Sequence, residues 1–394
     1  MKSKITVADT IKAFRDELEQ HNKITSRQKG IFTTLQQCRT PALGGHAEAC
    51  PDCGHVQTGW NSCRNRHCPT CNGIKRERWV LERRSEILPV DYFHVVFTLP
   101  DKLNDLCLHH PKLMYGLLFK SAWETMQKFA GSHKHLGAKP GMISVLHTWG
   151  QNLQLHPHLH CLVPGGGLTR QNKWRKCKAK GKYLFPVKAL SKVFRGKFTD
   201  GLIELNLTGE IHLNVPLIPE KKYLHPFYKT RWVVFAKRPA RAGEKTLEYL
   251  GRYVHKVAIG NSRIKAVDDK NVTFSWFDYR TNKIGEMLLE GHEFVRRWSM
   301  HILPEGFVKV RYYGICSNRT KIGTRQIVFE YLDKVPPPIR KGLKWFDVYE
   351  KIYGKSPFLC PECQQAEMVT VQIFYPIRDG PFRIVPAKPE ARQQ

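Results

Sequence analysis

The chain has 394 residues, enough for a large catalytic domain and one or two small modules with cores of their own. Lys and Arg number 64 against 34 Asp and Glu, a net charge of +30 that calls for a polyanionic partner and argues against an enzyme of small neutral substrates. There is no run of about 18 apolar residues and no apolar stretch between Met1 and Asp9, so the sequence predicts neither a membrane span nor a secretory signal.

The expected location is therefore the cytoplasm, in association with the nucleoid, where the 12 cysteines are read as metal ligands rather than disulfides. Residues 5–37 pattern as helix, and residues 38–71 form a Cys/His cluster rich in turn residues. Residues 73–87 set Lys75, Arg76, Arg78, Arg83 and Arg84 around Ile74, Trp79, Val80 and Leu81, a basic amphipathic helix. A β-branched and aromatic strand is expected at 92–99, stopped by Pro100, and a helix at 111–130. Strands follow at 143–149 and 158–163, with 165–167 as the turn after the second. Residues 168–198 are basic and expected to be exposed. Further strands are expected at 203–213, 231–237, 272–278 and 307–313, and helices at 243–257 and 291–300. Prolines at 336–338 mark a boundary. The mixture lacks a βαβ rhythm, so the fold class is α+β, an antiparallel sheet with packed helices. The predicted segments are an N-terminal helical part (1–37), a zinc-binding, DNA-binding module (38–88), a catalytic domain (89–335) and a C-terminal tail (336–394).

Within the cysteine cluster, Cys50-x2-Cys53 and Cys68-x2-Cys71 have zinc-ribbon spacing: each pair makes a tight knuckle, and two knuckles close a tetrahedral thiolate site. These four are the expected ligands of a structural Zn²⁺. Cys38, His46, Cys63 and His67 form a candidate second set. The basic neighbours Arg64, Arg66, Lys75, Arg76 and Arg78 suggest that the module holds DNA. Cys360-x2-Cys363 is half a site, without identifiable partners.

Two other features carry chemistry. In the segment from His156 to Val163, alternate residues of a strand share a face, so His158 and His160 point the same way and can hold one divalent cation. If the preceding strand pairs with this one, Gln151 is the first choice for a third ligand and His147 the second. A two-histidine site open on one side leaves room for phosphate oxygens, and imidazole ligands favour manganese over magnesium. In the helix at 243–257, Leu247, Leu250, Val254 and Val257 gather on one face, while Lys245, Arg252 and Lys256 gather on another. Tyr249 and Tyr253 are stacked one turn apart at the border, where a phenol is held by packing while its oxygen meets a basic groove. Taken singly, the histidine pair and the tyrosine pair each also fit a purely structural role.

Together the features resemble the rolling-circle transposases of the insertion-sequence-91 group. The segments HPHLHCLVPGGGL and YLGRYVHKVAI resemble its HUH (His, bulky apolar residue, His) and paired-tyrosine motifs, and CRTPALGGH, CPDCGH, NSCRNRHCPTC, HVVFTLP and VLHTWGQNL match it too. The resemblance runs from about residue 10 to residue 320. It implies an HUH nuclease core with the tyrosine helix across the histidine-bearing sheet, and Mg²⁺ or Mn²⁺ as catalytic ion. It implies single-stranded DNA, transposon ends and target, as partner. A tyrosine would attack a phosphodiester to form a 5′-phosphotyrosine and leave a free 3′-OH. Tyr249 and Tyr253 would both be nucleophiles, Tyr249 slightly favoured as the first, although one related subgroup works with a single tyrosine. In single-tyrosine relatives a Gln one turn past the tyrosine completes the metal site; here that position is Val257, so Gln151 or His147 must serve. No G-x4-G-K-[ST] motif of a fused helicase is present. The rival readings are a replication initiator or relaxase with the same chemistry, and a non-catalytic zinc-ribbon DNA-binding protein.

Overall fold

The computed structural model describes residues 5–178, 184–213, 227, 230–240, 251, 253–278, 281–377 and 380–387, and the statements below concern these residues. In chain order the elements begin with α1 (Val7–His21), α2 (Ser26–Gln36), β1 (Gly45–Ala49), β2 (Val56–Trp60), α3 (Asn72–Arg84), β3 (Tyr92–Thr98), α4 (Asn104–His109), α5 (Pro111–Gly131), β4 (Gly141–Trp149) and β5 (Leu155–Pro164). Next come β6 (Gly166–Leu168), β7 (Trp174–Lys176), α6 (Val187–Leu207), β8 (Val233–Ala240), β9 (Ile264–Val267), β10 (Asn271–Asp278) and β11 (Lys283–Glu290). The chain closes with α7 (Gly291–Ser299), β12 (Val310–Gly314), α8 (Lys321–Tyr331), α9 (Trp345–Tyr353), β13 (Val369–Ile377) and β14 (Gly380–Pro386). The class is α+β with antiparallel sheets, as the sequence predicts.

The chain folds as two compact units that interleave in sequence: residues 1–81, 255–302 and 341–394 form one, residues 82–254 and 303–340 the other. This differs from the consecutive segments that the sequence suggests. The first unit gathers both ends of the chain because β13 pairs antiparallel with β1, giving a four-stranded sheet in the order β14-β13-β1-β2. The segment after residue 340, expected as a separate tail, thus supplies two strands of that sheet, β13 inside it and β14 at its edge. Local chemistry starts the helices: Thr6 with Asp9 and Thr25 with Gln28 form reciprocal capping boxes at α1 and α2. Phe14 of α1 lies so close to Gly291 of α7 that any side chain there would collide with its ring.

The second unit is built on a five-stranded antiparallel sheet ordered β12-β4-β5-β3-β8, with β5 at its centre. One face carries Val95, Phe97, Leu146, Leu159, Cys161 and Val163, which bury against α5 and α6 in the main core. Phe194 and Phe198 of α6 are fully buried there; truncating a ring of this kind typically costs about 3–5 kcal/mol. Two local expectations change. Residues 203–207 continue α6 rather than starting a strand, because the apolar spacing of Leu190, Phe194, Phe198 and Leu202 has the helical period and carries on to Leu205. Gly166 and Gly167 form no simple turn: they lie in β6 and pair with β7, where Trp174 packs on Gly166. The helix expected at 243–257 falls largely outside the described residues.

Candidate functional site

The opposite face of the five-stranded sheet carries the chemistry. The register sets His158 across from His147 of β4 and from Thr98 of β3, and His160 across from Val145 and Val96. Residues two apart on a strand share a face, so His94, two positions before Val96, also lies on this side. His147, His158 and His160 bring their ring nitrogens within 4.8 Å of one another, the one histidine cluster of this kind among the described residues. Of the two candidates for a third ligand, His147 stands in the cluster, whereas Gln151 lies in the turn between β4 and β5.

Hydrogen bonds fix which nitrogens face inward. His158 Nδ1–H donates to the His156 carbonyl at 2.6 Å, which leaves its Nε2 bearing a lone pair. His160 Nδ1 lies 2.9 Å from His94 Nε2, and the Nε2 atoms of His158 and His160 are 3.1 Å apart. That spacing is the one two metal–nitrogen bonds of roughly 2.1 Å span at close to a right angle. His147 Nε2–H donates to the main-chain carbonyl of Tyr253 at 2.7 Å, leaving Nδ1 as its lone-pair nitrogen. Burial, reinforced by the neighbouring His160, Lys309 and His158, pushes His147 well below the ordinary imidazole value, so it is neutral. Three converging imidazoles, with His147 held neutral by its burial, fit a divalent cation.

The phenol ring of Tyr253 is stacked on His160, with centroids 3.9 Å apart and an interplanar angle of 29°, and on His94 at 5.9 Å. Its partner Tyr249, and the basic residues Lys245 and Arg252, lie outside the described residues. Sequence reasoning missed two groups here. His94 holds the outer nitrogen of His160; its signal was a polar residue at alternate positions, with Thr98, of an otherwise apolar strand. Lys309 stands 5.1 Å over the Trp149 ring, which is stacked in turn on His147 at 4.4 Å, and it contributes positive potential to the triad. No local pattern marked Lys309, because only the pairing of β12 with β4 brings its segment here.

In the other unit, eight cysteines form two sets of four: Cys38, Cys63, Cys68 and Cys71, and Cys50, Cys53, Cys360 and Cys363. This corrects the expected grouping of Cys50, Cys53, Cys68 and Cys71. Cys50 and Cys53 sit in the turn that closes the β1–β2 hairpin, whereas Cys38 and Cys63 flank its open end, where Arg39 N–H donates to the Asn61 carbonyl at 3.0 Å. Five-residue strands separate the two ends by roughly 17 Å, beyond the reach of one ion. Within the first set, Cys38 and Cys71 are 3.5 Å apart, and Cys63 and Cys71 3.7 Å. His46 and His67, the expected partners in a second set, stand outside both. His46 instead faces Glu48 at 3.7 Å, and His67 N–H donates to the Asn65 side chain at 2.9 Å.

The basic residues of the same unit are distributed unevenly. Lys75 Nζ–H donates to the Arg64 carbonyl at 2.6 Å, tying α3 to the cysteine loop, and Arg76 pairs with Glu77. Burial and nearby Arg27 push the Arg66 guanidinium below its ordinary value; burial does the same to the Lys256 ammonium, with Arg263 adding to it. Arg78 lies on α3. No helix among the described residues is long and apolar enough to cross a membrane.

Comparison with known proteins places these features in context. Residues 10–99 match the family model described as "Transposase zinc-binding domain", and residues 141–322 match the one described as "Putative transposase". The chain is 40% identical over 380 residues to "Putative transposase y4qJ" of Sinorhizobium fredii, covering 93% of this chain and 95% of that protein. It is 27% identical over 350 residues to "Transposase for insertion sequence element IS801" of Pseudomonas savastanoi pv. phaseolicola, covering 86% and 83%.

Proposed function

The chain belongs to the IS91 family of transposases, and we propose that it cleaves and rejoins single-stranded DNA through Tyr249 and Tyr253 as nucleophiles, beside a divalent ion held by His147, His158 and His160. The observation that carries this reading is the stacking of the Tyr253 ring on His160 at 3.9 Å, which sets a phenol against the metal-ligating face of the sheet. A bound Mg²⁺ or Mn²⁺ would polarise the scissile phosphate and offset its charge.

The protein's own groups do the rest. Tyr253 is held by its stacking on two imidazoles, so its attacking oxygen is oriented before DNA arrives. A phenol has a pKa of ~10, so attack at neutral pH needs a positive surrounding, and we assign part of it to Lys309, whose charge acts on His147 of the same cluster. The tyrosine hydroxyl gives up its proton to solvent and its oxygen bonds to phosphorus as the P–O3′ bond breaks; the 3′ oxygen takes a proton from solvent, leaving a free 3′-OH, and the 5′ phosphate stays on the enzyme. One phosphodiester replaces another, so rejoining by a 3′-OH needs no nucleotide cofactor. His94 is a positioning residue: with its Nε2 accepting from His160 Nδ1–H, it keeps the His160 Nε2 lone pair turned inward. The basic residues Arg64, Arg66, Lys75, Arg76, Arg78, Lys245, Arg252 and Lys256 are proposed to hold DNA backbone, and the zinc-binding domain to position it.

An assay with a labelled single-stranded oligonucleotide carrying the element's end and Mn²⁺ tests the reading. The expected result is a covalent protein–DNA adduct that maps to Tyr253 or Tyr249 and disappears with the metal. Adduct that survives the combined Tyr249→Phe and Tyr253→Phe changes would reject the nucleophile assignment. Sequence-specific binding without any adduct would favour a non-catalytic DNA-binding protein.

A further inference from the structure

We propose that Cys50, Cys53, Cys360 and Cys363 bind a zinc ion of their own, so that the zinc module holds two ions and is completed only by the C-terminal end of the chain. The C-terminal pair lies far outside residues 10–99, the part that matches the zinc-binding family model.

The geometry is that of a tetrathiolate site. Cys50 and Cys363 Sγ are 3.7 Å apart, as are Cys53 and Cys360 Sγ. Sulfurs around a tetrahedral zinc with Zn–S bonds of ~2.3 Å sit about 3.8 Å from one another. A disulfide would bring them to about 2.05 Å, and all four thiols are free.

The two pairs repeat one backbone device. The residue after the second cysteine takes the left-handed conformation in each, Gly54 with φ 71° and Gln364 with φ 53°. In each, that residue's N–H donates to the carbonyl of the first cysteine at 3.1 Å. The N–H of each first cysteine then closes the loop at 2.8 Å, Cys50 to the His55 carbonyl and Cys360 to the Ala366 carbonyl. The Cys363 sulfur also accepts backbone N–H groups of Ala366 and Gln365. Gln364 has no glycine-like freedom, so its left-handed backbone is a conformation the knuckle imposes. Two matching knuckles facing each other across 313 positions of sequence are not the pattern of scattered core cysteines.

The sheet delivers them to one another. Ala49 pairs with Val369 at the end of β1, which sets the Cys50 turn beside the Cys360 turn. The apolar cluster there is small: Cys50, Cys360 and Met368 are buried, with only Cys363 and Ala366 packed on them. So little apolar burial is a weak anchor for a chain terminus, whereas four thiolates on one ion bind the two ends firmly. The consequence is an order of assembly. The site with Cys38, Cys63, Cys68 and Cys71 can fill from the N-terminal part alone; the second must wait for the last tenth of the chain.

Zinc counting on the full-length chain tests this without reference to DNA cleavage. The parent carries His158→Ala and His160→Ala, so that only thiol sites are counted. Elemental analysis should give two zinc ions per chain, falling to one in the Cys360→Ser, Cys363→Ser variant and remaining two in Cys363→His, since three thiolates and an imidazole still hold zinc. If the serine variant does not fold, cobalt replacement in the folded parent decides: its thiolate-to-metal absorption should correspond to two tetrathiolate ions. One zinc per parent chain, one tetrathiolate cobalt, an unchanged count of two in the serine variant, or a Cys50–Cys363 disulfide in the purified parent would each overturn the proposal.

Discussion

The two kinds of candidate metal site in this protein, cysteine foursomes and a histidine triad, are built in opposite ways. In the first unit, the candidate sulfur ligands come from tight turns, Cys50-x2-Cys53 and Cys360-x2-Cys363 among them, and they gather in foursomes. In the second, imidazoles stand on adjacent strands of a rigid sheet, and the phenol of Tyr253 lies against them. Four thiolates complete a zinc site and stabilise a fold; three imidazoles leave coordination positions for phosphate oxygens and so suit chemistry. The difference teaches that a ligand's backbone setting indicates its task. Ligands in turns can tie distant segments together; ligands on strands can hold a reacting atom to within a fraction of an ångström.

This contrast predicts separable effects. The largest falls on the nucleophile: Tyr253→Phe should lower the rate of covalent adduct formation by about 10³-fold or more, as loss of an attacking group does. Retention of the parent rate, read by gel shift of denatured adduct, would shift the role to Tyr249. Next, His158→Ala or His160→Ala should reduce metal-dependent cleavage by about 10²–10³-fold while leaving zinc in the thiol sites unchanged. Loss of zinc from both would mean that the two sets are not separate. Third, His94→Ala should weaken Mn²⁺ binding by about 10–100-fold, with activity recovered at high Mn²⁺ and partly restored by His94→Gln. A simple loss of stability, with no change in the Mn²⁺ dependence, would make His94 structural. The smallest effect belongs to Lys309→Ala, expected to slow cleavage by a factor of about 3–10 and to lower its salt dependence, with Lys309→Arg close to the parent. Substitution of Cys38 should reverse the pattern of the histidine changes: one zinc ion lost from the module, with the histidine site still able to take up Mn²⁺.

Much of the site was legible in the sequence, because its signals are local. The alternation that aligns His158 with His160 needs only a strand, and the C-x2-C spacing needs only a knuckle. His94 was half legible, a polar residue on the same face of a neighbouring apolar strand. Other features had no local signature. His147 competed with Gln151 because a sequence shows that two strands are near but not their register; the structure pairs His147 with His158 and groups it with His158 and His160. The cysteine grouping failed for the same reason. Four cysteines within 22 positions look like one site, but a five-residue hairpin holds their pairs apart, and the partner of Cys50 and Cys53 lies beyond residue 359.

The sequence by itself determined the kinds of candidate ligand, the basic character and the α+β class. Those follow from side-chain type and from periodicities two to four residues long, which every segment carries within itself. Only the tertiary structure decided which candidate ligands lie together, which residue supports His160 from behind, and that the C-terminal strands complete the N-terminal sheet. Those outcomes depend on backbone hydrogen bonds between strands remote in the chain, whose register no local pattern encodes.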